Sequence, residues 1–216
     1  MTETLSADAL VARLLPRAGE DRRLLVAIAG PPGVGKTTTT AALADRLNEH
    51  SPGLCGVLAM DGYHFDDTVL NARGHRPRKG APFTFDLGGL RAMILRLKAD
   101  DGADIAVPVF DRTIEIARAG AAIIPATARI VLVEGNYLLL DEPGWRDLKD
   151  LFDVTVKLTA DSAVLEARLT ERWEGFGLEG EDMRQKMEGN DLPNLRLVLG
   201  HSLPAEFELR TDVGEL

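Results

Sequence analysis

Gly30-Pro31-Pro32-Gly33-Val34-Gly35-Lys36-Thr37 matches G-x-x-x-x-G-K-[ST] at every restricted position. Glycine lets consecutive backbone N–H groups turn inward on an anion, so such a loop cradles the phosphates of a nucleoside triphosphate. The stretch expected to bind is Gly30, Pro31, Pro32, Gly33, Val34, Gly35, Lys36, Thr37 and Thr38. Within it Lys36 reaches the terminal phosphates and the Thr37 hydroxyl ligates Mg2+. The flanks agree. Leu24 to Ala29 is an apolar run of strand length, and Thr37 to Asn48 reads as a helix with Leu43 and Leu47 on one face. Strand, glycine loop and helix follow in the order this motif requires.

Outward from the loop, the chain alternates strands and helices. Ser6 to Leu15 reads as a helix, and Leu54 to Met60 as a second apolar strand ending at Asp61. Residues 62–85 are polar, basic and too long for a simple connection, which marks a substrate loop or a segment with short elements of its own. Leu87 to Ala99 reads as a helix, Ile105 to Phe110 as a short strand, and Pro108 suggests an edge or a strand end. Ile130 to Val133 and Val154 to Leu158 are β-branched strands, Ser162 to Trp173 and Asp182 to Leu199 are helical, and Phe207 to Arg210 is a last strand. This pattern predicts an α/β protein whose mostly parallel sheet is covered on both faces. The expected fold is a P-loop NTPase three-layer α/β/α sandwich with a small lid, as a single domain over residues 1–216.

Composition narrows the partners. The net charge of −9 argues against nucleic acid, because phosphate-backbone binding needs a net or clustered positive surface. Cys55 is the only cysteine, so no intramolecular disulfide forms, and a small buried residue is the plain reading of it. Met1 to Leu15 lacks the basic start and apolar core of a signal peptide. No run approaches the roughly 18 apolar residues of a membrane span. These features predict a cytoplasmic protein with no membrane partner, and leave a homodimer open.

Two carboxylates gain meaning from their positions. In open parallel sheets the ligand sits beyond the carboxyl ends of the strands. Glu134 directly follows Ile130-Val131-Leu132-Val133, where a carboxylate holds the Mg2+ shell, although an acid before Gly135 also suits a turn. Asp61 ends the second strand and would accept the proton of an acceptor hydroxyl and aim its oxygen, although Asp61-Gly62 also suits a plain turn.

Several stretches together resemble one family. They are the glycine loop, Met60-Asp61-Gly62-Tyr63-His64-Phe65-Asp66, Arg78-Lys79-Gly80-Ala81-Pro82, Pro108-Val109-Phe110-Asp111-Arg112 and Val133-Glu134-Gly135-Asn136-Tyr137. They look like the uridine kinase / pantothenate kinase / phosphoribulokinase family, in particular its bacterial branch often labelled nucleoside/nucleotide kinase or fructose-transport-system kinase. The likeness runs from about Leu24 to about Leu203. It implies that Lys36 and Thr37 bind the triphosphate and Mg2+, that Asp61 is the acceptor-side aspartate, and that Glu134 is the metal-associated glutamate. Phe110 stands where uridine kinases carry a tyrosine, and their following histidine has no counterpart here. A hydroxyl for the substrate is therefore missing, which counts against uridine.

Positive charge is concentrated in Arg73-Gly74-His75-Arg76-Pro77-Arg78-Lys79, after Asp61. Arg78 and Lys79 are candidate acceptor contacts, with Tyr63, His64 and Arg112; a solvated loop is the alternative. In the helix from Ser162, at about 100° per residue, Val164, Leu165, Leu169 and Trp173 share one arc with Arg168 and Arg172. By the same resemblance this helix and residues 173–181 form the lid, and the two arginines neutralise charge on the transferred group. Asn190, in Asn190-Asp191-Leu192-Pro193-Asn194, reads as a helix-ending or turn residue. The resulting expectation is an ATP-dependent kinase acting on a hydroxyl of a small metabolite: a sugar, nucleoside or pantothenate-like compound. Lys36, Asp61, Arg168 and Arg172 are its catalytic residues. The alternative is a nucleotide-hydrolysing switch acting on a protein partner.

Overall fold

Leu24–Ala29 is the strand on which the sheet is built, and all its residues are buried. The computed structural model describes residues 2–19 and 22–212, so the expected span of 1–216 extends beyond the described residues at Met1, 20–21 and 213–216. Its strands are β1 (Glu3–Thr4), β2 (Leu24–Ala29), β3 (Cys55–Ala59), β4 (Ile105–Asp111), β5 (Ile116–Ile124), β6 (Ile130–Gly135), β7 (Val154–Thr159) and β8 (Phe207–Arg210). Its helices are α1 (Ala7–Leu14), α2 (Lys36–His50), α3 (Asp67–Ala72), α4 (Leu87–Ala99), α5 (Ser162–Gly175), α6 (Gly180–Lys186) and α7 (Leu192–His201).

The main sheet has the order β1-β8-β7-β2-β6-β3, with every pair parallel. Successive side chains of a strand point to opposite faces. Leu25, Ala27 and Ala29 enter one core with Leu90, Ile94 and Leu97 of α4. Leu24, Val26 and Ile28 enter the other with Leu10 and Leu14 of α1 and Leu43 and Leu47 of α2. Two cores on two faces explain why β2 is continuously apolar rather than alternating. Cys55 is buried at the start of β3, and burial pushes its thiol up to about 12, so it is an inert packing residue. No helix among the described residues is long and apolar enough to cross a membrane.

The structure departs from the sequence reading in three places. Ile105–Asp111 does not join the parallel sheet; β4 pairs antiparallel with β5 in a separate hairpin, with a register shift between Val107 and Val109 around Pro108. Proline has no N–H to give a ladder, which suits this bulged position. β5 was not expected at all, because most of its residues are exposed and its centre is alanine and glycine, so it carries no apolar alternation. The Asp182–Leu199 helix is not one regular helix: α6 and α7 are separated by a π-helical turn, Met187–Asp191.

Residues 62–85 hold short elements, α3 and single 3-10 turns at Arg76–Arg78 and Pro82–Thr84. Asp66 caps α3 by accepting from the Thr68 backbone N–H at 2.8 Å. Gly62 meets the hairpin so closely that a Cβ there would lie 2.6 Å from the Pro108 carbonyl oxygen. The hairpin therefore covers the carboxyl end of β3.

Candidate active site

The glycine loop leaves β2 at Ala29 and enters α2 at Lys36. Gly33 and Gly35 have φ of +81° and +84°, a left-handed backbone that other residues adopt at a cost. A Cβ on Gly33 would also lie 3.0 Å from the Leu165 carbonyl oxygen, so α5 sits directly on the loop. The loop caps α2 without a side-chain cap, leaving the first amides of the helix free to meet an anion. Pro32, Gly33, Gly35, Lys36, Thr37 and Thr38 line a cleft of about 400 Å³. Gly30, Pro31 and Val34 are buried and are not among the lining residues. Val34 is fully buried and its N–H donates to the Pro31 carbonyl at 3.3 Å.

Sheet register sets the acids beside the loop. Glu134 on β6 is level with Ile28 of β2 and with Ala59 of β3, so it lies at the root of both the glycine loop and the Asp61 turn. The Thr37 hydroxyl donates to Glu134 Oε1 at 3.3 Å. Glu134 is buried, and burial with the nearby charge of Asp61 raises its carboxyl above the ordinary range, while Lys36 pulls it back. Lys36 Nζ donates to the Pro31 carbonyl at 3.0 Å. Its side chain keeps some open surface towards the cleft, yet protein surrounds it on the scale over which a charge is solvated. That burial brings it down to about 8, against the opposing pull of Glu134 and Asp61.

Asp61 sits in the 3-10 turn Met60–Tyr63 after β3, half-buried, and accepts from Arg112 Nη2 at 2.9 Å. His64 Nδ1 lies 2.8 Å from the Asp61 backbone carbonyl. A carbonyl oxygen only accepts, so Nδ1 carries the hydrogen and Nε2 is the free acceptor. The imidazole lies between Phe85 and Phe110, with centroids at 4.0 and 4.7 Å, and burial lowers its pKa and favours the neutral ring. Lys79 is buried, with Nζ donating to Asp67 Oδ1 and to the Glu115 carbonyl, both at 2.6 Å. Arg76 joins the same group through Asp67 at 2.7 Å and Glu115 at 3.0 Å.

Asp61, His64, Lys79 and Arg112 thus line the cleft with the glycine loop, as do Arg168 and Arg172 of α5. Two expected acceptor residues stand apart. Tyr63 packs on the core below the cleft, and its hydroxyl has no partner among the described residues. Arg78 is not itself among the lining residues; it donates to Asn190 Oδ1 at 3.4 Å and Asn194 Oδ1 at 3.5 Å, two residues that do line the cleft. Arg168 borders the cleft but holds the end of β8, donating to the Thr211 hydroxyl at 3.1 Å and its carbonyl at 2.8 Å. The Arg172 guanidinium lies 5.1 Å over the Trp173 ring, and burial lowers its pKa. Among the described residues no carboxylate pairs with either of these two arginines.

Asn190 does sit in a turn between two helices, and it is buried there. It lies within the π turn, is 2 % exposed, and is hydrogen-bonded to residues more than a hundred positions away. Arg76, Glu115, Asn136, Asn190, Asp191 and Asn194 also line the cleft, and sequence reasoning assigned none of them to the site. Arg76 belongs to the basic stretch after Asp61. Glu115, with φ of +54°, sits in a hairpin turn whose second strand had no sequence signal.

Residues 25–173 match the model of the Phosphoribulokinase / Uridine kinase family. A relative named "Putative uridine kinase C227.14", from Schizosaccharomyces pombe, is 31% identical over 200 residues, covering 89% of this chain and 85% of the relative. The crystal structure of a "putative fructose transport system kinase" from Silicibacter sp. TM1040 superposes with a TM-score of 0.87 at 42% identity, covering 94% of this chain and 98% of that one. YFH7 from Saccharomyces cerevisiae, described as "a putative P-loop containing kinase with a circular permutation", superposes with a TM-score of 0.80 at 17% identity, covering 98% and 100%, a likeness of fold.

Proposed function

The chain belongs to the Phosphoribulokinase / Uridine kinase family of ATP-dependent small-molecule kinases, and on that premise we propose how its cleft moves a phosphoryl group to an alcohol. The reading rests on one observation: Thr37 and Glu134, 3.3 Å apart, open into the same cleft as Asp61. The amides of Gly33 and of Gly35 to Thr38 take the phosphates, and the Lys36 ammonium meets the terminal pair of groups. A hydroxyl and a carboxylate are hard oxygen donors, so Thr37 and Glu134 fit Mg2+. When bound, Mg2+ would neutralise the phosphate oxygens and orient the terminal group.

On the far side of the cleft, Asp61 receives the acceptor. Its carboxylate accepts a hydrogen bond from the reacting hydroxyl and takes the proton as the new O–P bond forms and the bond to the departing ADP oxygen breaks. Arg112 holds the carboxylate in place. His64 Nε2 is free to accept from a second hydroxyl, which supports a polyhydroxyl acceptor such as a sugar or nucleoside, with a pantothenate-like compound as the other member of the class. Arg172 stands where residues 173–181 would close, and carries positive charge to the transferred group. Residues 62–85 supply the acceptor wall.

The test is ATP consumption by the purified protein with and without nucleosides, pantothenate-like compounds, ketohexoses and pentose phosphates. Stimulation by one small hydroxyl compound, with its phosphate ester as product, is the expected result. Stimulation by a protein alone, with release of inorganic phosphate, would replace the kinase reading by a switch.

A further inference from the structure

The π turn between α6 and α7 places two neighbouring polar side chains in opposite service. Asn190 and Asp191 are both buried, at 2 % and 8 % exposure. Buried polar groups must find partners, and these two find them in different parts of the molecule. Asn190 Nδ2 donates to the Lys79 carbonyl at 2.8 Å, and its Oδ1 accepts from Arg78 and, at 3.1 Å, from Asn194 Nδ2. Asp191 Oδ2 accepts from the indole N–H of Trp173, at the end of α5. The same indole ring carries the Arg172 guanidinium on one contact and Lys186 Nζ, at 4.6 Å, on another. π turns are rare and recur at functional sites, because the widened turn aims side chains that a regular helix would not.

Resting on the kinase reading above, we infer that Asn190 and Asp191 form a coupling turn that sets the acceptor loop and the phosphate-side arginine together. Asn190 fixes the loop at Lys79, whose ammonium is already bound to Asp67 and Glu115. Asp191 fixes Trp173 and, through it, Arg172. Movement of the end of α5 onto bound triphosphate is therefore transmitted to the acceptor wall through adjacent residues. Asn190 is a positioning residue: its amide oxygen and nitrogen are engaged by protein, and it acts through Lys79. The loop has a second anchor, the Tyr137 hydroxyl donating to the Gly80 carbonyl at 2.6 Å, so loss of Asn190 removes the links to Lys79 and Arg78, and leaves only the 3.5 Å Arg78–Asn194 contact to α7, without releasing the loop.

The experiment is amide hydrogen exchange on the full chain, with and without Mg2+ and the non-hydrolysable analogue AMP-PNP, in wild type, Asn190→Ala and Trp173→Phe. Several amides of residues 75–84 are hydrogen-bonded and report on loop order. In wild type the analogue should slow exchange at residues 30–38, at the end of α5, and at 75–84. In Asn190→Ala the slowing at 30–38 and α5 should persist while that at 75–84 is lost. Trp173→Phe, which keeps an aromatic ring but removes the indole N–H donor with the five-membered part of the ring system, should lose it as well. Should Asn190→Ala fail to fold, Trp173→Phe alone decides. Slowing at 75–84 that survives in the folded variants, or that never occurs in wild type despite slowing at 30–38, overturns the coupling. Absence of slowing at 30–38 in wild type would instead remove the nucleotide site, and the coupling with it.

Discussion

Arg112, in the turn between β4 and β5, places Nη2 2.9 Å from Asp61 Oδ2, so the hairpin reaches over and holds the carboxylate at the end of β3. The two groups differ in role, and substitution separates them. Asp61→Asn should keep ATP binding and reduce phosphorylation of the acceptor by about 10²- to 10⁴-fold, the range of a lost general base. Arg112→Ala should reduce turnover only about three- to fivefold, the size of a half-exposed ion pair. Steady-state kinetics on the acceptor found by the screen, with calorimetry of ATP, measures both. Normal turnover in Asp61→Asn would remove it from the mechanism.

Lys36 carries a pH signature. Burial holds the folded, nucleotide-free protein's ammonium at about 8, below the ordinary 10.5. The cost of keeping it charged is present in full below pH of about 8, and is relieved as pH rises from there towards 10.5. Lys36→Met should abolish transfer, yet raise the melting temperature near neutral pH, with the advantage shrinking as pH climbs through that window. Melting curves of both proteins across the range check the sign; a constant difference would contradict it.

Glu134→Gln keeps an oxygen for the Thr37 hydroxyl and removes the charge. The Mg2+ concentration for half-maximal activity should rise about 10- to 100-fold, as for other groups in or around a metal shell. The nucleotide-free protein should be no less stable, because a buried carboxylate close to Asp61 is costly. A Mg2+ titration of activity beside a thermal melt reads both; an unmoved Mg2+ requirement would exclude Glu134 from the metal shell.

Gly62→Ala tests the seating of the hairpin. The added Cβ would lie 2.6 Å from the Pro108 carbonyl oxygen and 2.9 Å from its carbon, both backbone atoms that cannot rotate away. The substitution should destabilise by about 1–3 kcal/mol, as overpacking does, and lower acceptor turnover with ATP affinity unchanged. Denaturant titration and the two affinities provide the readout, and a protein as stable and as active as wild type would show that the hairpin is not seated there.

The glycine loop was legible because its chemistry is local. Positive φ at Gly33 and Gly35 belongs to glycine itself, and no distant contact is needed to predict it. β2, β3 and β6 were legible because burial on both faces demands unbroken apolar runs, and Asp61 and Glu134 declared themselves by following such runs, while β7 and β8 showed as short alternating stretches, Val154-Thr155-Val156-Lys157-Leu158 and Phe207-Glu208-Leu209-Arg210. β5 left no trace, since an exposed strand of small residues needs no apolar periodicity.

What the sequence alone could not decide is who meets whom. Arg112 reads as an acceptor contact and Arg168 as a charge for the transferred group; the fold ties the first to Asp61 and the second to Thr211. Asn190 read as a turn residue; the fold buries it against Lys79, 111 positions earlier in the chain. Backbone conformation and burial pattern are written into short stretches because they depend on neighbours a few residues away. Partners of buried polar groups are chosen by close packing between distant segments, and only the assembled structure brings those segments within hydrogen-bonding reach.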